Sequence, residues 1–218
     1  MPRSRQLAAA LVPAALALSS ACGTEETAPA KAAGARRLES TGAPAGRVVE
    51  PSAELRNVHG AVVGHVEFED RDGATQVVVA LDGVDIAGFH GVHVHANEDG
   101  TNGVGCTADP AAASSTWFSS ADGHMADEGE LHGGHAGDLP SVLVMADGTA
   151  VAEHVTDRFT VEEVVGAAVV LHSEADNFGQ VPMGAGQHQY TPNTPSAVSA
   201  TAATGNAGDR IACGVVQP

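Results

Sequence analysis

Aromatic side chains are scarce in this chain: one Trp, one Tyr and five Phe make up 3% of its 218 residues. A core with so few rings has to be assembled from β-branched and small aliphatic residues, and that composition favours strands. Basic residues are few as well. Ten Lys and Arg stand against 27 Asp and Glu, a formal charge of -17, which argues against nucleic acid and against electrostatic adhesion to anionic lipid as partners. Long amphipathic helices are missing from the pattern. The one sustained apolar run, Leu7 to Leu18, is too short for a span that stays in a bilayer.

That run follows a short basic start at Arg3 and Arg5 and precedes Ser19-Ser20-Ala21-Cys22, the proportions of a secretory signal. Two processing routes fit. Cys22 stands where a bacterial lipoprotein carries its lipidated cysteine, with Ser19 where Leu is usual, while Ser19 and Ala21 also satisfy the small-x-small rule for ordinary cleavage. From Gly23 to about Ser52 the chain is Ala, Gly, Pro and Thr with scattered charge and no apolar period. It reads as a disordered tether. The predicted organisation is a signal over 1–21, a tether over 22–54 and one domain over 55–218.

Within the domain the grammar is that of short strands and tight turns. Val58 to Glu69 alternates in part, Asp72-Gly73 offers a hairpin turn, and Thr75 to Leu81 returns; Ser141 to Ala146 and Thr149 to Val155 flank a second Asp-Gly pair, Asp147-Gly148. Ala167 to His172 and Ile211 to Val216 are further apolar runs, and Thr160 to Glu163 fits a capping box. The fold class expected is all-β, a Greek-key barrel or sandwich of about eight antiparallel strands. Two long segments, Asn97 to Leu139 and Asn177 to Asp209, do not read as strand, and segments of that length are functional or disordered.

The chemistry concentrates at Gly88-Phe89-His90-Gly91-Val92-His93-Val94-His95. His93 and His95 are two apart, so in a strand they share a face roughly 6.6 Å apart along it. Paired imidazoles on rigid backbone suit Cu(II) or Zn(II), but two cannot close a site. The first long segment adds His124, His132, His135 and Asp138, enough for a tetrahedral zinc site, and His172 ends an apolar run. A histidine binding one metal at each ring nitrogen would let seven side chains fill two four-ligand spheres. His90, at an odd offset from His93, turns to the other face and is expected to make a structural hydrogen bond. His59, His65, His154 and His188 are expected on surfaces or strand faces, and Trp117-Phe118 in the core.

In combination these motifs resemble the exported bacterial Cu,Zn superoxide dismutases. The resemblance runs from about Leu55 to Pro218. It rests on Phe89 to His95, Gly123-His124, His132-Gly133-Gly134, His135-Ala136-Gly137-Asp138-Leu139, Val170-Leu171-His172 with Asp176, and the ending Gly205 to Val216. It implies copper on His93, His95, His124 and His172, and zinc on His124, His132, His135 and Asp138. Asp176 would accept hydrogen bonds from a histidine of each set, as outer carboxylates of metal sites do. Cys106 and Cys213 would form an intrachain disulfide. With that pair made, Cys22 is the odd thiol, which favours lipidation and a membrane anchor on the outer face over simple secretion. Superoxide would be the substrate, docked by Arg210, and His124 would take up a proton in the reduced state. The role implied is protection of the envelope from extracellular superoxide, with a homodimer left open.

The chain departs from the family pattern in three places. The connection from His132 to His135 is much shorter than the common form, which makes His132 the ligand on which zinc occupancy turns. The loop from His95 to Cys106 is slightly lengthened. Asn177 to Gly208 contains no Asp, Glu, Lys or Arg, where relatives often carry charged guidance residues.

Overall fold

The computed structural model describes residues 50–177 and 195–218. The expected signal, Cys22 and most of the tether lie outside them, as does His188. Among the described residues eight strands form: β1 (Ser52–Asn57), β2 (Val62–Arg71), β3 (Ala74–Leu81), β4 (Gly88–His95), β5 (Asp138–Val144), β6 (Ala150–Thr156), β7 (Ala168–His172) and β8 (Arg210–Val215). β1 opens ahead of the domain boundary expected at residue 55, because Ala53 and Leu55 alternate into the core.

The strands pair antiparallel in the order β5-β4-β7-β8-β1-β2-β3-β6. The two ends of that order are consecutive in sequence. β5 and β6 are joined by a hairpin in which Met145 N donates to Thr149 O at 2.8 Å, so the sheet closes into a nearly complete Greek-key barrel.

Turn chemistry fixes the register. Asp72 and Gly73 both have positive φ, 55° and 91°, as a type I′ turn requires, and β2 and β3 pair in unbroken register from Arg71↔Ala74 to Gly64↔Leu81. At the other hairpin Asp147 Oδ1 caps Thr149.

The core is aliphatic, as the composition dictates. Leu55, Val66, Val77, Val79, Val92, Leu139 and Leu171 are all but sealed from solvent, each stabilising the fold by about 1.5–3 kcal/mol. Its two rings, Phe68 and Phe159, meet edge-on with centroids 6.2 Å apart. A second cluster of Phe118, Ala121, Ala168, Val170 and Cys213 lies under the long loop that follows β4.

One element was not legible in the sequence. Helix α1, Pro195–Thr204, lies inside the segment read only as a long non-strand stretch. Its composition of Ala, Ser and Thr leaves no apolar stripe to detect, but Pro at the first position and Gly205 after the last are the expected start and stop. Gly205 has φ 61° and donates its N–H to Thr201 O at 3.0 Å. Thr160 and Glu163 make the reciprocal capping-box bonds yet continue as hydrogen-bonded turns. Among the described residues no helix is long and apolar enough to cross a membrane.

Candidate metal centre

β4 is buried along both faces. Val92 and Val94 point into the barrel core, so His93 and His95, fully buried themselves, face the opposite side. There the long loops cover them. An isolated bridge sets His124 opposite His95, and the flanking Met125 N donates to Val94 O at 2.8 Å. Gly137 donates to Met125 O and accepts from Val94 N, both at 2.8 Å; a Cβ there would overlap the Val94 carbonyl. Sheet register brings the remaining groups in. Asp138 pairs with His93 across β5 and β4, and His172 pairs with Arg210 across β7 and β8 at a local register shift.

His93, His95, His124 and His172 each offer a ligating atom within 4.8 Å of the others. In each ring one nitrogen is engaged and one is not. His93 Nε2 lies 2.5 Å from Asp176 Oδ2, His95 Nδ1 2.9 Å from Asp122 O, His124 Nδ1 2.7 Å from Asp138 Oδ1, and His172 Nδ1 3.4 Å from Gly208 O. The other four nitrogens, His93 Nδ1, His95 Nε2, His124 Nε2 and His172 Nε2, are buried without a hydrogen-bond partner among the described residues. Four orphaned imidazole nitrogens on rings this close together are costly unless something ligates there, and imidazole donors suit copper as well as zinc, iron and nickel.

The second group converges on Asp138 Oδ1. His124 Nδ1, His132 Nδ1 and His135 Nδ1 lie 2.7, 3.1 and 3.3 Å from it, and the His124 and His135 nitrogens are 3.3 Å apart. A tetrahedral zinc ion with ordinary bond lengths has ligand-to-ligand edges of about 3.3 Å. His93 also lies within reach of His124, His132 and Asp138, but its Nε2 is engaged by Asp176. The outer oxygen of Asp138 accepts from Gly133 N at 2.5 Å and His135 N at 3.1 Å. Asp176 spans the two groups, its Oδ1 2.6 Å from His132 Nε2. Gly205 cradles this contact, since a Cβ there would overlap both Asp176 Oδ1 and His132 Nε2.

Burial sets the protonation states. It pulls the His124 imidazole down to about 4, with the Asp138 hydrogen bond opposing, and holds His95 and His172 well below their ordinary range, helped by neighbouring imidazoles and Arg210. These rings are neutral at pH 7, the form that ligates metal. His132 goes the other way. Burial opposes its charge, yet Asp138 and Asp176 together raise it to about 9, and in the same cluster Asp176 is held at about 2, its burial outweighed by His132 and His93.

Arg210 is half-buried and donates to two carbonyls, Phe118 O at 2.6 Å and Asp122 O at 2.5 Å. The disulfide Cys106–Cys213, Cα–Cα 5.4 Å, ties the loop carrying those carbonyls to β8. Asp122 was not anticipated, nor was Phe118 as anything but core, because backbone oxygens carry no signature in the sequence. His90 makes the expected structural bond, Nδ1 to His172 O at 3.0 Å. His59 and His65 are exposed, and His154 is half-buried on β6.

The sequence profile of the copper/zinc superoxide dismutase (SODC) family matches residues 62–216. This chain belongs to that family. It is similar to "Superoxide dismutase [Cu-Zn]" of Mycolicibacterium paratuberculosis, 34% identical over 175 residues that cover 76% of this chain and 73% of the relative. It is also 34% identical over 163 residues to the proteins of that name from Mycobacterium bovis and Mycobacterium tuberculosis, covering 72% of this chain and 65% of each relative. Among solved structures, that of the clock protein EA4 superimposes with a TM-score of 0.54 at 26% identity, over 77% of this chain and 93% of that one. Membership of the superoxide dismutase family implies copper and zinc as cofactors, and the two convergent donor sets suit them.

Proposed function

We propose that the chain disproportionates superoxide, two anions and two protons giving O2 and H2O2, with copper on His93, His95, His124 and His172 and zinc on His124, His132, His135 and Asp138. Bound copper supplies a one-electron couple that alternately accepts and returns an electron. The chain does the rest. Arg210, its guanidinium held by the Phe118 and Asp122 carbonyls, offers a permanent planar cation to the incoming anion. His124, its Nδ1 on Asp138 and its Nε2 bare, would hold both metals and would carry a proton at Nε2 for the product, and Asp176 keeps the His93 and His132 rings oriented.

The observation that carries this reading is the set of four orphaned nitrogens next to a clamped arginine. Metal analysis of the purified protein with a superoxide assay tests it: two metals per chain and activity lost in His172→Ala are expected, and bound copper without turnover would make the protein a copper store instead.

The same reading puts the protein outside the cell membrane, with residues 1–21 removed, Cys22 lipidated and the residues from 22 to the start of β1 at Ser52 a tether to the enzyme domain. The mature chain's acidity argues against charge as what holds it to a membrane. Cys22→Ser is expected to move it from the membrane to the soluble fraction; retention on the membrane would refute the anchor.

A further inference from the structure

The loop from Leu131 to Gly137 carries His132 and His135 but includes Gly133, Gly134 and Gly137, so it has few side chains of its own to fix its shape. One of its bonds is internal, Gly134 N to Leu131 O at 2.9 Å; the adjoining Asp138 takes Gly133 N and His135 N on its Oδ2 and returns its own N–H to His135 O at 3.2 Å. From outside, α1 supplies the Ala202 carbonyl to His132 N at 2.8 Å, and the barrel holds Gly137. The stretch between is gripped by Arg158. Its Nη1 donates to His135 O at 3.0 Å and its Nη2 to Gly133 O at 3.2 Å.

Arg158 stands on a firm base. It follows β6, its N–H donates to Thr156 Oγ1 at 3.2 Å, and the next residue, Phe159, is 3% exposed in the core, with its carbonyl taking the Thr75 hydroxyl at 2.9 Å. A planar fork fits two carbonyls two residues apart in a way that a single ammonium does not. The side chain reaches over the surface, and surface arginines ordinarily matter little to a barrel. Its partners are what distinguish it, because both carbonyls belong to the loop bearing His132 and His135.

We infer that Arg158 is a positioning residue for the zinc ligands: by pinning the Gly133 and His135 carbonyls it holds His132 and His135 in ligating position before metal arrives, a fixed brace for an unusually short connection. This rests on the assignment of zinc to His124, His132, His135 and Asp138.

The test is a Zn(II) titration of metal-free protein against a chromophoric chelator, for the wild type, Arg158→Ala, Arg158→Lys and Asp138→Ala, with the Cu(II) visible spectrum and the metal-free melting temperature measured in parallel. Arg158→Ala is expected to weaken zinc binding about 10- to 100-fold, the usual cost of losing an outer support, with copper spectrum and melting temperature unchanged. Arg158→Lys is expected to recover only part of it. Wild-type zinc affinity in Arg158→Ala overturns the role, as does a loss matched by the melting temperature or the copper spectrum, and full recovery in Arg158→Lys overturns the fork. Wild-type zinc affinity in Asp138→Ala would instead overturn the zinc assignment itself.

Discussion

Arg210 and His95 are tied to the same atom. The Asp122 carbonyl oxygen accepts from Arg210 Nη2 at 2.5 Å and from His95 Nδ1 at 2.9 Å. One backbone oxygen thereby fixes the docking cation and the tautomer of a copper ligand, because a proton on Nδ1 leaves the Nε2 lone pair for metal. Asp122 reaches that pose at φ 64°, ψ −158°, a region that side chains other than glycine's rarely enter and that costs about 1–3 kcal/mol. Its carboxylate offsets this by accepting from Glu98 N, Asp99 N and Asn102 Nδ2 at 2.6, 2.8 and 2.6 Å.

Alanine at this position keeps the strain and loses the anchors. Asp122→Ala is expected to lower stability by about 1–3 kcal/mol and to cut kcat/KM, whereas Asp122→Gly, free of strain, keeps most of the activity. Denaturant melts and superoxide assays of the pair decide it; equal activity losses in both would show that the backbone pose is not what matters.

Removing the clamped cation separates docking from metal binding. Arg210→Ala is expected to lose about 10- to 100-fold in kcat/KM, the size of one charge-assisted contact, at unchanged copper content. Copper lost along with activity would assign Arg210 a structural role.

Residues 177–208 include no Asp, Glu, Lys or Arg, and the rim beside Arg210 carries Glu98, Asp99 and Asp122. Salt screens this repulsion as well as the attraction of Arg210, so the rate is expected to decline only weakly with ionic strength. Glu98→Gln is expected to raise kcat/KM about twofold at low salt and not at high salt. A steep salt-dependent decline in the wild type would contradict this.

The disulfide closes a separation of 107 residues, worth about 4–5 kcal/mol in the chain-entropy account, whose mechanism is disputed. Cys106→Ala with Cys213→Ala is expected to lower stability by about that amount and to loosen the loop that holds Arg210. Calorimetry and kcat/KM of the double variant measure the two effects separately.

Metal-free protein has a predictable pH profile. His124, at about 4 when folded against about 6.5 unfolded, gains protons on unfolding, so its contribution is lost as pH falls from 6.5 toward 4; His95 and His172 act in the same direction. His132, raised to about 9, contributes fully below 6.5 and loses that contribution as pH rises through 9. Stability should therefore peak near neutrality and fall on both sides. Thermal melts from pH 4 to 10 check this, and a profile flat below pH 6.5 would contradict it.

Local rules in the sequence were enough for much of the architecture. Asp72-Gly73 marked a turn because only a few residues tolerate positive φ, and the spacing of His93 and His95 placed them on one face because a strand repeats every two residues. Helix α1 escaped notice because small side chains give no periodic signal. Arg158 and Asp122 escaped because their partners are carbonyls of residues far along the chain, and every residue has a carbonyl.

The sequence by itself determined the all-β class, the family resemblance and a supply of candidate ligands. Those depend on side-chain identity and short-range spacing. Which nitrogen of each ring is left bare, how His132 and His135 converge on Asp138 despite their short connection, and what clamps Arg210 were decided only by the tertiary structure. They are set by hydrogen bonds between segments brought together when the barrel closes, and no local pattern encodes them.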